Sequence, residues 1–269
     1  MCVNILTFLI AICLFSFSSN IFAKQTGKIA IIIDDVGYNI QDKKLLTLPP
    51  NITFAILPFT PFSQEIANQA EQQDRNILLH LPMQAHANNH LLGAGALTND
   101  MSKQQVQDKL NTAFNELPTA IGVNNHMGSE LTEQITVMDW VMEALSKRGL
   151  FFVDSRTSAE SIAEKSAVKA GLPALRRHIF LDNIKTKEAM NKQFQQAIKH
   201  SQESDYTIII AHPYPETLHY LTERLNNKDK EFQLIPLTEL IPEELNLLLK
   251  QKKVQYQQTN LNLSNKHNI

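Results

Sequence analysis

The chain has 269 residues, a formal net charge of −2, and hydrophobic and charged fractions of 43% and 19%. These proportions are ordinary for a globular protein, and the length suits one large α/β domain or two small ones. The small net charge gives no electrostatic reason to expect nucleic-acid binding. No apolar run beyond the N-terminal segment approaches the roughly 20 residues that a membrane helix needs.

The first 23 residues have the features of a signal peptide. Residues 5–17 are almost continuously apolar, and Ala23 stands in the small-residue position of a cleavage site before Lys24. No Lys or Arg precedes the apolar run, so an uncleaved N-terminal anchor remains the alternative. In either case we expect the body of the protein to be exported to the periplasm or cell envelope.

Cysteine is confined to this N-terminal segment, at Cys2 and Cys13. The mature chain would then contain no disulfide and no thiolate metal ligand. Any metal ion must therefore be held by His, Asp or Glu side chains.

Seven short apolar runs, rich in β-branched residues, predict the strands of a sheet. Short continuous runs of this kind are typical of strands that are buried on both faces, as in a parallel sheet. A weaker eighth candidate is "QLIPL" at 233. The seven are "IAIII" at 29, "ITFAIL" at 52, "NILLHL" at 76, "AIGV" at 120, "LFFV" at 150, "HIFL" at 178 and "YTIIIA" at 206.

Amphipathic stretches between these runs predict helices that start near residues 63, 102, 135, 187 and 215. Ser102 and Gln105 are spaced as a capping box, and Gly149 is a typical helix stop. Repeated alternation of strand and helix predicts an α/β barrel or a doubly wound sheet, and no dinucleotide-binding or phosphate-binding loop motif is present. The spacing favours barrel-like closure over residues 24–242. For residues 243–269, which are rich in polar side chains, we expect a short helix at most and a disordered end.

Six of the seven predicted strands end on a titratable side chain. The carboxyl ends of parallel strands lie on one face of an α/β fold, so these groups should converge there. Each group alone could be structural, since Asp and Asn commonly satisfy turns. Together they form a nitrogen and oxygen donor set suited to zinc or another divalent metal. The groups are Asp34 and Asp35, His80, His126 behind Asn124 and Asn125, Asp154, Asp182 and His212.

The segment "IIIDDVG" places two carboxylates side by side at the end of the first strand. Adjacent carboxylates repel each other unless a cation or a proton offsets their charge. Their side chains point in different directions, so one can hold a metal while the other meets substrate or water. Gly37 allows a sharp turn after them. A solvated turn is the alternative interpretation of this segment.

The first-strand segment "IAIIIDDVGYN" resembles the corresponding motif of the NodB-type polysaccharide deacetylases. More closely, the chain resembles the divergent polysaccharide deacetylase family of bacterial envelope proteins. The segments "FAILP", "LLHLPM", "GVNNHMGS", "FFVDSRTS", "FLDN" and "IIIAHPYPETL" follow in that family's order. The resemblance covers about residues 28–241 and implies one domain with an irregular (β/α)7 NodB-like barrel.

The resemblance also implies roles for individual residues. Asp34 would act as general base, Asp35 would bind a divalent metal, and His212 would protonate the leaving group. The superfamily usually takes two metal-binding histidines from one "HxxxH" segment, whereas this chain has only His80 there. His126 is the best candidate for the remaining ligand, and we predict a site formed by Asp35, His80 and His126 with zinc as the expected metal.

Two histidines, His86 and His90, lie in a polar loop, where we expect them to be solvated. The substrate-side "RxPY" element of the superfamily is missing from this chain. We therefore predict substrate contacts from other polar residues near the strand ends. These residues are Asn124, Asn125, Asp154, Arg156 and Asp182.

These features lead to one principal functional hypothesis and two alternatives. The principal hypothesis is a metal-dependent amide hydrolase that removes N-acetyl groups from an envelope glycan. One alternative is a non-catalytic envelope protein that uses the same barrel to bind glycan or a protein partner. The other is metal-dependent hydrolysis of a different bond, because a fold alone does not determine its chemistry.

Overall fold

The structure, a computed structural model, describes residues 26–226 and 231–267. The predicted signal peptide and its cleavage position lie outside these ranges. No helix within the described ranges is both long enough and apolar enough to span a bilayer.

Within the described residues, nine parallel strands form one curled sheet, which has the shape of a half-barrel and confirms the predicted α/β fold. The strands are β1 (Gly27–Val36), β2 (Thr53–Ile56), β3 (Ile77–Met83), β4 (Gly122–Met127), β5 (Phe151–Asp154), β6 (Ala174–Arg176), β7 (Ile179–Phe180), β8 (Thr207–Ala211) and β9 (Phe232–Leu234). Their order in the sheet is β6-β5-β4-β3-β2-β1-β8-β7, and β9 pairs with β1. All seven apolar runs form strands, and the weaker eighth candidate forms β9.

Strand β1 lies at the centre of the core. Its residues from Ile29 to Ile33 have no exposed surface, as expected for a strand covered on both faces. Ile29 pairs with both Thr207 and Leu234, so β8 and β9 lie on opposite edges of β1. The C-terminal half of β1 pairs with β2, on the same edge as β9. Strand β1 therefore pairs with three neighbouring strands.

Helices cover the sheet, and all five predicted helices are present. The helices are α1 (Ser63–Gln72), α2 (Lys103–Glu116), α3 (Ile135–Arg148), α4 (Ala163–Lys169), α5 (Lys187–Glu203), α6 (Pro215–Asn226) and α7 (Glu243–His267). At the start of α2 the hydroxyl of Ser102 accepts from the backbone N–H of Gln105, and the Gln105 side chain accepts from the backbone N–H of Ser102, which confirms the capping box. Helix α3 ends at Gly149 in a left-handed conformation. Strand β6 and helix α4 were not predicted.

The C-terminal segment differs from the expected short helix with a disordered end. Helix α7 continues from Glu243 to His267. Leu249 is buried, and the Nζ of Lys253 lies 3.0 Å from Oδ1 of Asp74. Tertiary contacts of this kind supply helix stability that a polar composition does not reveal, and Leu, Lys and Gln are good helix formers.

The turn after β1 directs the two neighbouring carboxylates. Asp35 has a left-handed backbone with φ 58°, and the pairing of β1 with β2 shifts register between Ile33 and Val36. Gly37 follows with φ 124°, a conformation that L side chains rarely adopt. The buried carboxylate of Asp42 accepts from the backbone N–H of Gly37 at 2.9 Å and so holds this turn in place.

We predict that Gly37→Ala destabilises the protein. An ideal Cβ at Gly37 would lie 2.3 Å from Oγ1 of Thr60. Backbone strain and steric overlap together should lower the free energy of unfolding by about 2–5 kcal/mol, measured by urea denaturation. Gly171→Ala is the matched control, because Gly171 has φ 73° but no heavy atom within 4 Å of its ideal Cβ. Equal losses in the two variants would contradict this account.

Candidate metal centre

The carboxyl ends of β1, β3 and β4 bring Asp35, His80 and His126 together. One potential ligand atom from each residue lies within 4.8 Å of the others. Oδ1 of Asp35 is 2.8 Å from Nδ1 of His126 and 3.1 Å from Nε2 of His80. The three side chains predicted as metal ligands are therefore neighbours, although 91 positions separate Asp35 from His126 in the sequence.

Asn124 fixes the proton on the ring of His80. The amide nitrogen of Asn124 donates to Oδ1 of Asp34 at 2.8 Å, so its carbonyl oxygen faces Nδ1 of His80 at 2.8 Å. A carbonyl can only accept, and Nδ1 therefore carries the proton. Nε2 of His80 lies 3.1 Å from Oδ1 of Asp35, to which it donates when the ring is doubly protonated; loss of that proton would leave the lone pair on Nε2. This is the usual way in which an outer hydrogen bond orients a metal-binding histidine.

The donor set and the charge state of Asp35 both fit a divalent metal. Burial raises the pKa of the Asp35 carboxyl, but hydrogen bonds from His126 and His80 outweigh this effect and hold the pKa well below its usual range. Two imidazoles and one carboxylate are typical of three-ligand catalytic zinc sites. One third of the Asp35 side chain remains exposed, which leaves access from solvent.

Asp34 lies beside this cluster in a drier environment. It is almost fully buried, and its Oδ2 is 3.8 Å from Nε2 of His80. Burial raises the pKa of the Asp34 carboxyl, and the nearby His80 and His212 only partly offset that effect. Asp34 is thus a carboxylate with increased basicity next to the three clustered ligands.

His212 approaches the same region from the end of β8 and is held by Asp182. Nδ1 of His212 lies 2.8 Å from Oδ1 of Asp182, and the His212 backbone N–H donates to Oδ2 at 2.7 Å. Burial lowers the pKa of His212, but the hydrogen bond and charge of Asp182 outweigh this effect and raise the pKa to about 9. His212 is therefore cationic at neutral pH. Because Asp182 accepts from Nδ1, the Nε2–H of His212 is not used by this contact.

Asp182 and Asn124, both predicted to contact substrate, have protein partners in this structure. Asp182 is buried, and both of its carboxylate oxygens already accept hydrogen bonds, including one from Thr217 at 2.7 Å. Its contacts with His212 position that ring. Asn124 is fully buried and bonds to Asp34 and His80.

Asp154, Arg156 and Asn125, also predicted to contact substrate, instead hold the loops after β4 and β5. The fully buried carboxylate of Asp154 accepts from the backbone N–H of Arg156 at 2.8 Å and from the hydroxyl of Ser161 at 2.7 Å. The Arg156 guanidinium donates to backbone carbonyls of its own loop. Asn125 bonds the backbone of Met127 and accepts from the backbone N–H of Ser155. The turns that follow the strands use these polar groups.

Arg177 is a charged residue of this region that the sequence analysis missed. Its guanidinium donates to the backbone carbonyl of Ser155 at 2.7 Å and lies 3.8 Å from the ring centroid of Phe180. Burial lowers the pKa of Arg177, while the charges of Asp154 and Asp34 act in the opposite direction. The residue follows β6, and the only available signal was the basic pair before the "HIFL" run.

The loop histidines lie outside the cluster, as expected. His86 and His90 are both exposed. The ring of His86 lies 3.2 Å from the carboxylate of Glu133 and so links the loop after β3 to a short 3₁₀ turn after β4.

Comparison with known proteins relates this chain to one family. The family model described as divergent polysaccharide deacetylase matches residues 31–241. An uncharacterized protein of Haemophilus influenzae (strain Rd) is 39% identical over 220 residues, which cover 81% of this chain and 78% of that protein. The uncharacterized protein YibQ of Escherichia coli (strain K12) is 34% identical over 218 residues, covering 81% and 68% respectively.

A solved structure supports the fold independently. The crystal structure of an uncharacterized protein from Agrobacterium tumefaciens C58 is similar with a TM-score of 0.75. The match covers 81% of this chain and 91% of that one at 19% sequence identity, so it shows likeness of fold alone.

We predict that His126→Ala loses most of its bound zinc while remaining folded, because His126 lies at the rim and supplies one of three ligands. Asn124→Ala should weaken zinc binding by about 10- to 100-fold, since it releases the ring of His80. Zinc content would be measured by elemental analysis, and affinity by competition with a chelator. His86→Ala is the control and should retain zinc. Full zinc in His126→Ala, with loss in His86→Ala, would refute this ligand set.

We predict that Asp182→Asn lowers the pKa of His212 from about 9 toward the ordinary value of about 6.5. Because the folded-state pKa is raised, the charged pair stabilises the wild type fully below about pH 6.5, and this contribution is lost as pH rises through about 9. The stability difference between wild type and Asp182→Asn should therefore be largest in mildly acidic solution. NMR titration of metal-free protein and urea unfolding at several pH values test both expectations.

The control for that measurement is Thr217→Val, which removes a neutral hydrogen bond from the same carboxylate. It should leave the pKa of His212 closer to the wild-type value. An unchanged His212 titration in Asp182→Asn would show that the carboxylate does not control this histidine.

Proposed function

This chain belongs to the divergent polysaccharide deacetylase family, and on that basis we propose that it is an exported, metal-dependent hydrolase. Its substrate would be an N-acetylated envelope glycan, from which it removes acetyl groups. One observation carries the proposal. A carboxylate of raised pKa, Asp34, and a cationic imidazole, His212, accompany the same cluster of three metal-type ligands, Asp35, His80 and His126.

The clustered residues fit a zinc ion by their chemistry. Asp35, His80 and His126 would hold the ion. Asn124 keeps the Nδ1 proton of His80 in place, so that Nε2, now 3.1 Å from Oδ1 of Asp35, is the nitrogen that could bind a metal after it loses its proton. A bound divalent metal supplies Lewis-acid polarisation of a carbonyl oxygen and of water. The protein's own part is to place proton-transfer groups around that position.

Asp34 is suited to take up a proton. Its raised pKa increases its basicity, while at neutral pH its anionic form is favoured by His80, His212 and Asn124. Asp34 would accept a proton from the water that attacks the acetamide carbonyl carbon. Burial also limits its contact with bulk water, so the proton is retained near the reacting groups.

His212 is suited to give a proton. Asp182 holds Nδ1, so the proton on Nε2 is available to the amine that leaves when the carbon–nitrogen bond breaks. The raised pKa, about 9, keeps His212 protonated before the reaction. Water would add to the acyl carbon as one of its protons passes to Asp34, and the carbon–nitrogen bond would break as His212 gives its proton to nitrogen. The products are a free amine and acetic acid, which ionises to acetate.

Export and glycan specificity rest on other features. The signal-peptide pattern of residues 1–23 supports an envelope location. Membership of the deacetylase family supports a carbohydrate amide as substrate. Together they favour an acetylated polysaccharide of the cell envelope, such as peptidoglycan fragments.

We predict that Asp34→Asn retains zinc but abolishes deacetylation, because a carboxamide cannot accept the proton. His212→Ala should also retain zinc and should slow the reaction most with poor leaving groups. The rate should rise as Asp34 ionises and fall as pH passes the pKa of His212, about 9 in the metal-free geometry, to give a bell-shaped profile. Release of acetate from N-acetylglucosamine oligomers and peptidoglycan fragments measures the activity.

The matched control is His219→Ala, which removes an exposed histidine from α6, the helix that follows His212. It should leave activity unchanged. A fully zinc-loaded wild-type protein without activity on a broad panel of acetylated glycans would contradict the proposal and favour the non-catalytic alternative.

A further inference from the structure

Two exposed aromatic residues stand on the rim beside the metal-type cluster. Tyr38 and Phe59 are 52% and 38% exposed, in the loops that follow β1 and β2. Tyr38 comes three residues after Asp35, and the backbone N–H of Phe62 donates to the carbonyl of Gly37, which joins the two loops. Both aromatic residues therefore belong to the same face of the barrel as Asp35.

Each aromatic ring is seated on a glycine of the loop after β3. An ideal Cβ at Gly93 would lie 2.5 Å from the hydroxyl oxygen of Tyr38, and one at Gly95 would lie 2.7 Å from Cε2 of Phe59. Both glycines have positive φ, 78° and 81°. Any other residue at these positions would displace a ring or strain the loop, so the sequence accommodates two aromatic side chains that add nothing to the core.

Phe59 also has an unfavourable backbone conformation. Its φ is 60°, which is rare for a bulky L residue. Strain of this kind is destabilising and is concentrated at functional sites. A solvent-exposed Phe in a left-handed conformation brings no evident gain in stability. The strain is explained if the ring must be presented at the surface.

The loop segments nearest the two rings carry no Asp, Glu, Lys or Arg, in residues 37–41, 57–62 and 84–99. Lys43 follows the first segment and lies 5.7 Å from the Phe62 ring, but it is paired with Glu65. The segments carry exposed carboxamides at Gln41 and Asn88. An aromatic surface with amide donors and acceptors suits a neutral ligand that has both C–H faces and polar edges.

We propose that Tyr38 and Phe59 form a platform that binds the neutral sugar units next to the unit held at the metal centre. The occupant is a chain of N-acetylated pyranose rings, whose C–H faces pack on the aromatic rings. Asp35 and His80 lie on the strands that lead into two of the three loops, so the aromatic surface adjoins the metal-type cluster. This position supports the assignment. The identity of the occupant rests on the proposed function, but binding to the platform is separable from catalysis.

The first test measures binding of an N-acetylglucosamine pentamer by calorimetry, with zinc-loaded full-length Asp34→Asn protein to prevent turnover. Adding Tyr38→Ala or Phe59→Ala should weaken binding by about three- to ten-fold, the size expected for loss of one aromatic contact. Tyr38→Phe should retain most of the affinity. Val168→Ala, which truncates a side chain exposed by 64% on α4, is the control and should change nothing.

A second variant separates binding from stability. Phe59→Gly should bind as weakly as Phe59→Ala but melt at a higher temperature, because glycine adopts φ 60° without strain. In the active protein, Tyr38→Ala and Phe59→Ala should raise KM for the pentamer and leave kcat unchanged.

Two results would overturn the platform, and a third separates it from the proposed activity. Affinity that is unchanged in both alanine variants, or absent in the parent protein, would refute it. Self-association that both variants abolish in sedimentation, without a change in sugar affinity, would assign the surface to a second copy of the chain. Pentamer binding that both variants weaken, in a wild-type protein without turnover, would support the platform and refute the proposed activity.

Discussion

Two adjacent carboxylates at the end of the central, largely buried strand impose the main constraint on this protein. Neither Asp34 nor Asp35 can remain ionised in a low-dielectric environment unless partners offset its charge. The two carboxylates have different partners in the structure. Asp35 receives two imidazoles and keeps a low pKa, whereas Asp34 receives one carboxamide and keeps a raised pKa. The left-handed turn at Asp35 separates the two side chains enough to allow this division.

The same requirement connects the rest of the rim. Asn124 serves both halves of the site, since its amide group donates to Asp34 and its carbonyl orients His80. Asp182, another buried carboxylate, also has an imidazole partner, His212. Asp35 is thus a paired anion, Asp34 a more basic carboxylate and His212 a cation, and the three lie within one region. Groups with such different pKa values are what acid–base chemistry at neutral pH requires.

The loops on the two sides of the rim also differ in how their polar side chains are used. The loops after β4 and β5 are held by buried polar side chains such as Asn125 and Asp154, whose hydrogen bonds are made within the protein. The loops after β1, β2 and β3 instead expose aromatic rings and carboxamides. This is the side on which we propose that the sugar chain binds.

Much of the fold and the central cluster followed from the sequence alone. Continuous β-branched runs identify buried parallel strands, and the rule that their carboxyl ends share one face predicted that the polar strand ends converge. The resemblance to the NodB-type deacetylases then singled out Asp35, His80 and His126 among them. Short elements were missed, because the three residues of β6 and the seven of α4 carry too little periodicity to be recognised. Helix α7 was underestimated because its support comes from contacts with the barrel.

Only the tertiary structure decided how each polar residue at the strand ends is used. Asp182, Asp154 and Asn125 share the sequence pattern of the metal-type ligands, yet Asp154 bonds within its own loop, Asn125 bonds to the neighbouring loop and Asp182 bonds to His212. Arg177 entered the site through a strand that the sequence did not reveal. The physical reason is that sequence periodicity specifies the face of a strand, whereas partners that lie 30 to 90 positions away decide which hydrogen bonds a polar group on that face can make.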